Sequence, residues 1–366
     1  GSSPSELTAS DGTVYCAASS SGSAGELWRS DGTAGGTVKV KDVSPTALTR
    51  AGSALFFVAA DATNGAELWR SDGTPAGTGL VKDIHPGATG SGPTSLTSLN
   101  GLLVFGASHP VFGRELWRSD GTASGTVMIS SPNLGFFPSK PSNLAVVGGH
   151  VYFNAESELG YELHWSNGLE LGDELVADIR PGSGSSNPSG LTDVNGTLFF
   201  AADDGTNGTE LWRSTGPAGA TSLVVSINPG AAGSAPEALT NVNGTLYFTA
   251  QSPGSGRELW RTDEGAGAVL VRDIRPGIGG ADPTSLVNVD GTLFFAAYDS
   301  ANDEELWQSD GTRTGTRRVR DIFVGPDSSN PWALTNVGGT LFFRARDSFQ
   351  KPELWVHRLE TTLVIR

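Results

Sequence analysis

Short apolar runs alternate along the whole chain with polar stretches rich in Gly, Asn, Asp, Ser and Pro, and no long stretch carries apolar residues at helical spacing. The segment Leu191-Thr192-Asp193-Val194, Asn195-Gly196, Thr197-Leu198-Phe199-Phe200-Ala201-Ala202 is representative. Two apolar runs joined by Asn-Gly predict a hairpin, because a type I′ turn needs positive φ at both central residues. These runs are strands A and B. A polar loop over 203–208 follows, then strand C with Glu210-Leu211-Trp212-Arg213. In most copies strand C ends in Asp-Gly-Thr, as at Asp31, Asp72, Asp120 and Asp310, and strand D follows, as in Val81-Lys82-Asp83-Ile84. A Pro/Gly/Ser linker such as 86–93 closes the unit.

The unit repeats from end to end. Glu-Leu-Trp starts at Glu26, Glu67, Glu115, Glu210, Glu258, Glu305 and Glu353, and Glu162-Leu163-His164-Trp165 fills the gap as a variant with one extra residue. Successive starts lie 41, 48, 47, 48, 48, 47 and 48 residues apart, a period that with strand-like content marks a propeller. The expected fold is therefore all-β, an eight-bladed β-propeller with four antiparallel strands per blade, in one domain over 1–366. The blades run approximately over 5–45, 46–93, 94–141, 142–188, 189–236, 237–283, 284–331 and 332–366. Each comes from one continuous segment, so ring closure is expected to rest on blade 1 packing against blade 8. An open solenoid would need polar caps, and neither end of the chain looks like one.

Glu67-Leu68-Trp69-Arg70-Ser71-Asp72-Gly73-Thr74 and its copies resemble the ELWxxDGT repeat of secreted bacterial proteins, a likeness that covers nearly all of the chain and implies no established activity. The stretch from Ala59 to Trp69 is similar to the tryptophan-docking motif of eight-bladed quinoprotein dehydrogenases and outer-membrane assembly scaffolds, which supports the blade number. It implies no quinone, because the paired cysteines often found beside that cofactor need two and this chain has one.

The net charge of -15, with no basic run, argues against nucleic acid as a partner. No apolar run reaches the roughly 20 residues of a membrane span, so no membrane insertion is expected. Gly/Ser/Thr richness and the acidic surface point to a secreted or cell-surface protein whose leader has been removed. Cys16, the single cysteine, sits in the apolar run Val14-Tyr15-Cys16-Ala17-Ala18 and reads as a buried, inert thiol.

Residues that return in every unit are expected to serve the blade. Trp28, Trp69, Trp117, Trp165, Trp212, Trp260, Trp307 and Trp355 are assigned one equivalent place as wedges between sheets. Arg70 is placed to reach Asp83 on strand D. Each Asp-Gly-Thr turn offers one carboxylate, which can cap its own backbone without an ion. No cofactor is expected. Should calcium bind, the candidates are the carboxylate-rich loops with Asp203, Asp204 and Asn207 and with Asp299 and Asp303. The Asn-Gly-Thr sequons at Asn195, Asn207 and Asn243 are explained by turn chemistry.

Function is sought where the copies differ. The B–C loop of blade 3 reads Ser108-His109-Pro110-Val111-Phe112 and its outgoing linker carries Phe136 and Phe137, while blade 4 adds Glu156, Glu158 and Tyr161. B–C loops and D–A linkers emerge on one side of a blade. His109, Phe112, Phe136, Phe137 and Tyr161 are therefore the candidate binding residues, with Trp332 as a second break near Phe323 and Phe349. No catalytic motif is present, and no residue is assigned a catalytic role. The expected function is recognition of a carbohydrate or protein partner through the B–C and D–A face. The alternatives are a secreted hydrolase or lyase with carboxylates at the channel mouth, and a structural repeat of a cell-surface assembly.

Overall fold

A computed structural model describes residues 4–10, 12–20, 25–130, 138–169, 173–216, 221–263, 267–299, 301, 303–323, 327–347, 349, 351–358 and 361–365. Among them there are thirty-two strands and no helix, in eight sheets of four hydrogen-bonded in chain order. The fold is an eight-bladed β-propeller. Blade 2 is typical, with strands A to D at Thr46–Ala51, Ala54–Asp61, Gly65–Ser71 and Gly79–Lys82. Every blade comes from one continuous segment, blade 8 included, whose strand D is Thr361–Ile365. The chain divides into two compact units, Gly1–Ser185 and Ser186–Arg366, each with four blades.

The turns form for the reasons their residues suggest. Asn195 and Gly196 have φ of 52° and 83°, and Asn243 and Gly244 have 50° and 89°, as a type I′ hairpin requires. In the C–D turn, Asp72 Oδ1 accepts from Thr74 N at 2.8 Å and Thr74 Oγ1 at 2.7 Å. A Cβ at Gly77 would collide with that same carboxylate, so the motif extends to Asp-Gly-Thr-X-X-Gly-Thr. A feature that residue type does not announce is a bulge in every strand A. Ala47, Ala238 and Ala333 sit there at φ of 54°, 53° and 54°, and blade 2 shifts register between Thr46 and Thr49.

Within each unit the core lies between successive sheets. Blade 2 turns Phe56, Leu68, Val81 and Ile84 toward Leu103, Phe105, Ala107 and Trp117 of blade 3, and blade 6 meets blade 7 in the same way through Tyr247, Leu259, Val271, Phe295 and Trp307. Full burial of each such Leu or Phe contributes about 1.5–3 kcal/mol.

Three expectations change. Phe57, Phe105, Phe200, Phe248, Phe295 and Phe343 each face the tryptophan of their own strand C, whereas Phe153 faces His164, and Trp165 faces Tyr152. His164 therefore replaces the tryptophan rather than being inserted, and Trp165 occupies the arginine place, edge-on to His150 at 4.6 Å. Arginine in that place reaches forward to the next blade: Arg118 Nη1 donates to Gly168 O and Arg261 Nε to Gly311 O, each at 3.0 Å. It thus serves the joint between blades, where a pairing of Arg70 with Asp83 was expected. Cys16 is half-buried rather than fully buried, and burial raises its thiol pKa.

Candidate functional site

The glutamate of Glu-Leu-Trp is buried in blades 1 to 7, and in blades 2 to 7 it holds the outgoing linker. Glu67 Oε1 accepts from His85 N at 3.0 Å and Ser91 N at 2.8 Å, and Oε2 accepts from Ser91 Oγ at 2.5 Å. Glu115 takes Ser139 in the same way, Glu210 takes Asn228 N and Ser234 Oγ, and Glu305 takes Ile322 N with both groups of Ser329. Ser91 also presents its carbonyl to Ser108 N of blade 3 at 2.9 Å, and Ser139, Ser186, Ser234 and Ser329 do likewise for the strand that follows each. This places the D–A linker beside the B–C loop of the next blade.

A second repeated device joins blades within a unit. Lys41 Nζ donates to Thr78 O at 2.6 Å and lies 5.9 Å above the Trp69 ring, and Lys82 does the same to Thr126 O at 2.8 Å and to Trp117 at 5.8 Å. The indoles are thus covered as well as wedged.

On this frame blade 3 puts His109 and Phe112 together, with ring centroids 4.9 Å apart and His109 6.1 Å from Trp117. His109 Nδ1 accepts from Val111 N at 3.2 Å. Burial first, then His85 and Lys82, lowers the His109 pKa, so the ring is neutral at pH 7. Val111 beside it is 55% exposed. Tyr161 in blade 4 donates to Glu156 Oε2 at 3.0 Å, and Lys140 pairs with the same oxygen at 2.8 Å. That lysine holds the Glu156 carboxyl below its usual range. Phe136 and Phe137 lie outside the described residues. Trp332 opens strand A of blade 8, in the second unit, half-buried under the Arg344 guanidinium at 5.0 Å. Phe323 is buried and Phe349 is 74% exposed.

The two oxygen-rich loops differ. In blade 5, Asp204 Oδ1 accepts from Thr206 N and Asn207 N, and Oδ2 from the Asn207 amide. Burial opposes ionisation there, but these bonds keep the Asp204 pKa below its usual value. Asp203 Oδ1 accepts from Gly205 N at 2.7 Å. These carboxylates tie the loop to itself. In blade 7, Asp299 Oδ1 caps Ala301 N at 2.7 Å, but Asp303 turns inward and meets Glu305 and Asp321, with carboxylate oxygens all within 4.8 Å of one another. Burial first, then Asp299 and Asp321, pushes Asp303 up to about 6, and burial pushes Glu305 up to about 7. Glu258 in blade 6, buried beside Asp273, also rises to about 7.

Comparison with solved structures extends the fold and little else. The chain resembles a structure from a structural and mechanistic study of two prolyl endopeptidases, with a TM-score of 0.51 and 13% identity over 98% of this chain and 55% of that one. A puromycin hydrolase follows at 0.48 and 15%, over 85% of this chain and 51% of that one. The BP39L lectin from Burkholderia pseudomallei follows at 0.40 and 10%, over 88% and 98%. The chain thus spans about half the length of the peptidase and hydrolase chains it matches. No protein-family model and no curated protein matches it. Identities this low speak for architecture alone.

Sequence reasoning missed the glutamate cradle, although a signal was present. Serine stands 24 residues after glutamate in the pairs Glu67 and Ser91, Glu115 and Ser139, Glu210 and Ser234, and Glu305 and Ser329. It also missed the strand D cations, because their partners lie a whole blade away.

Proposed function

We propose that this protein is a secreted or cell-surface binding module that takes a carbohydrate through the B–C and D–A loops of blades 3 and 4, with a protein partner as the other form of the same reading. The observation that carries it is the His109 ring, stacked with Phe112 and Trp117 beside an exposed Val111, where blades 2 and 5 spend the loop on an aspartate-capped turn. Partly open aromatic faces suit the apolar C–H faces of a sugar, and the Glu156 carboxylate and Tyr161 phenol of blade 4 offer groups for its hydroxyls.

Hydrolysis is less well supported. Of the carboxylates with raised pKa in blades 6 and 7, Glu258, Asp303 and Glu305 are buried and closed to substrate, and Glu258 and Glu305 are spent on linker amides. Glycosidase carboxylates face each other across an open cleft at about 5–9 Å. A purely structural role in a surface assembly would leave the blade 3 loop without a ligand.

Glycan-array binding of the wild type, Phe112→Ala and the double variant Phe136→Ala/Phe137→Ala tests this. Loss of one aromatic stack of about 1 kcal/mol corresponds to roughly fivefold weaker binding by Phe112→Ala. Equal binding by all three removes the site from blade 3. Absence of any glycan signal from the wild type leaves a protein partner or the structural role.

A further inference from the structure

Blade 7 departs from its neighbours at one position. Two residues before the strand C glutamate, blades 2 to 6 carry Gly65, Gly113, Gly160, Gly208 and Gly256, and blade 7 carries Asp303. In blade 6 a Cβ at Gly256 would strike the linker backbone at Gly280 and Ile278. Blade 7 accepts a whole carboxymethyl group there, and Asp303 is 1% exposed.

A buried aspartate with no partner is costly, since removing a carboxylate from water costs several kcal/mol unless charge or hydrogen bonds replace the solvent. Asp303 Oδ1 has no hydrogen-bond partner, and neither has Asp321 Oδ1. Arg318 pairs with the group, shared at 3.3 Å with Asp303, 3.6 Å with Asp299 and 3.8 Å with Asp321. Charge-assisted bonds are normally about 2.7–2.9 Å, so the guanidinium satisfies none of the three closely. Glu305 spends three of its roughly four acceptor positions on Ile322 and Ser329 and keeps one.

We propose that Asp303, Glu305 and Asp321 form a site for one divalent cation of calcium's size. Two oxygens on an ion at about 2.4 Å lie at most about 4.8 Å apart, and the three carboxylates meet that limit. The lone pairs left on Asp303 and Asp321 point to the missing positive charge, and water would complete the shell. Blades 2 and 6 serve as internal controls. Each has an aspartate just after strand D, Asp83 or Asp273, with an unpartnered buried oxygen, but each has glycine where blade 7 has Asp303. Two carboxylates are too few, so the stoichiometry is one ion per chain. This site is independent of the aromatic loop of blade 3.

The test is calorimetric titration of the chelator-treated protein with calcium chloride, and separately with magnesium chloride, for the wild type, Asp303→Gly and Asp321→Asn. Asp303→Gly restores the residue that five other blades carry, and Asp321→Asn keeps the shape of its side chain. The wild type is expected to bind one Ca2+ per chain and to gain thermal stability with added calcium, Asp321→Asn to bind at least tenfold more weakly, and Asp303→Gly to bind none. No Ca2+ binding by the wild type, equal binding by Asp303→Gly, or preference for Mg2+ overturns the assignment.

Discussion

Blades 6 and 7 share one hydrophobic interface in the second unit, and their central glutamates face different surroundings. Glu258 in blade 6 accepts three backbone N–H groups, from Ile274, Arg275 and Ala281. Ala281 stands where blade 7 has Ser329, so Glu258 lacks the hydroxyl bond that Glu305 receives. Blade 7 has that hydroxyl, and it has gained Asp303 as well. The difference separates two uses of one buried carboxylate. As an anchor for linker amides it needs only donors, whereas beside two further carboxylates it needs a positive charge.

The largest effect should come from removing the anchor. Glu258→Ala leaves the N–H groups of Ile274 and Arg275 unpaired and Ala281 N with only its bond to Arg257 O, and is expected to cost about 2 kcal/mol, at roughly 1 kcal/mol or more per orphaned donor. Glu305→Ala should cost less, because it also relieves crowding with Asp303 and Asp321. Chemical denaturation decides the matter, and a Glu258→Ala midpoint at the wild-type value would sink the anchor role. Next in size, Ala281→Ser supplies the hydroxyl that other blades have and should stabilise by about 1 kcal/mol. Destabilisation by that change would mean that the two linkers are not equivalent.

The smallest effect is the change that Ala281→Ser makes to the pH dependence. Glu258 titrates at about 7 in the folded chain and near its ordinary value of about 4.3 when unfolded. Between about pH 4.3 and 7 the folded state holds the extra proton, so this group's contribution is full below that window and declines as pH rises through it. In Ala281→Ser the new donor favours the carboxylate, and the slope should flatten. Denaturation midpoints across the window, compared between wild type and variant, check this, and parallel profiles would refute it.

Much of the fold could be read from the chain because its signals are local. Asn195-Gly196 sets a hairpin by backbone preference alone, and Asp72 caps a turn two residues away. What stayed hidden is long-range. Glu67 finds Ser91 only after strand D and a linker have folded back, and Lys82 finds Trp117 only when blade 3 is in place. Trp165 misled because composition shows an indole near the motif, while strand pairing decides which residue faces Phe153. For the candidate site, Asp303 stood out as an acidic loop residue, but its two partners come from strand C and from beyond strand D, and no local pattern joins them.

The linker serine carries a consequence for how such a chain can change in length. Its hydroxyl bonds backward to the glutamate of the blade just completed, and its carbonyl bonds forward to the blade about to begin. A segment cut from one such serine to the next therefore brings a full set of donors and acceptors with it, and copying, exchanging or losing whole segments leaves no orphaned group at either seam. Repeats joined in this way can multiply without redesign, and an altered copy such as blade 7 can acquire chemistry of its own while its neighbours keep theirs.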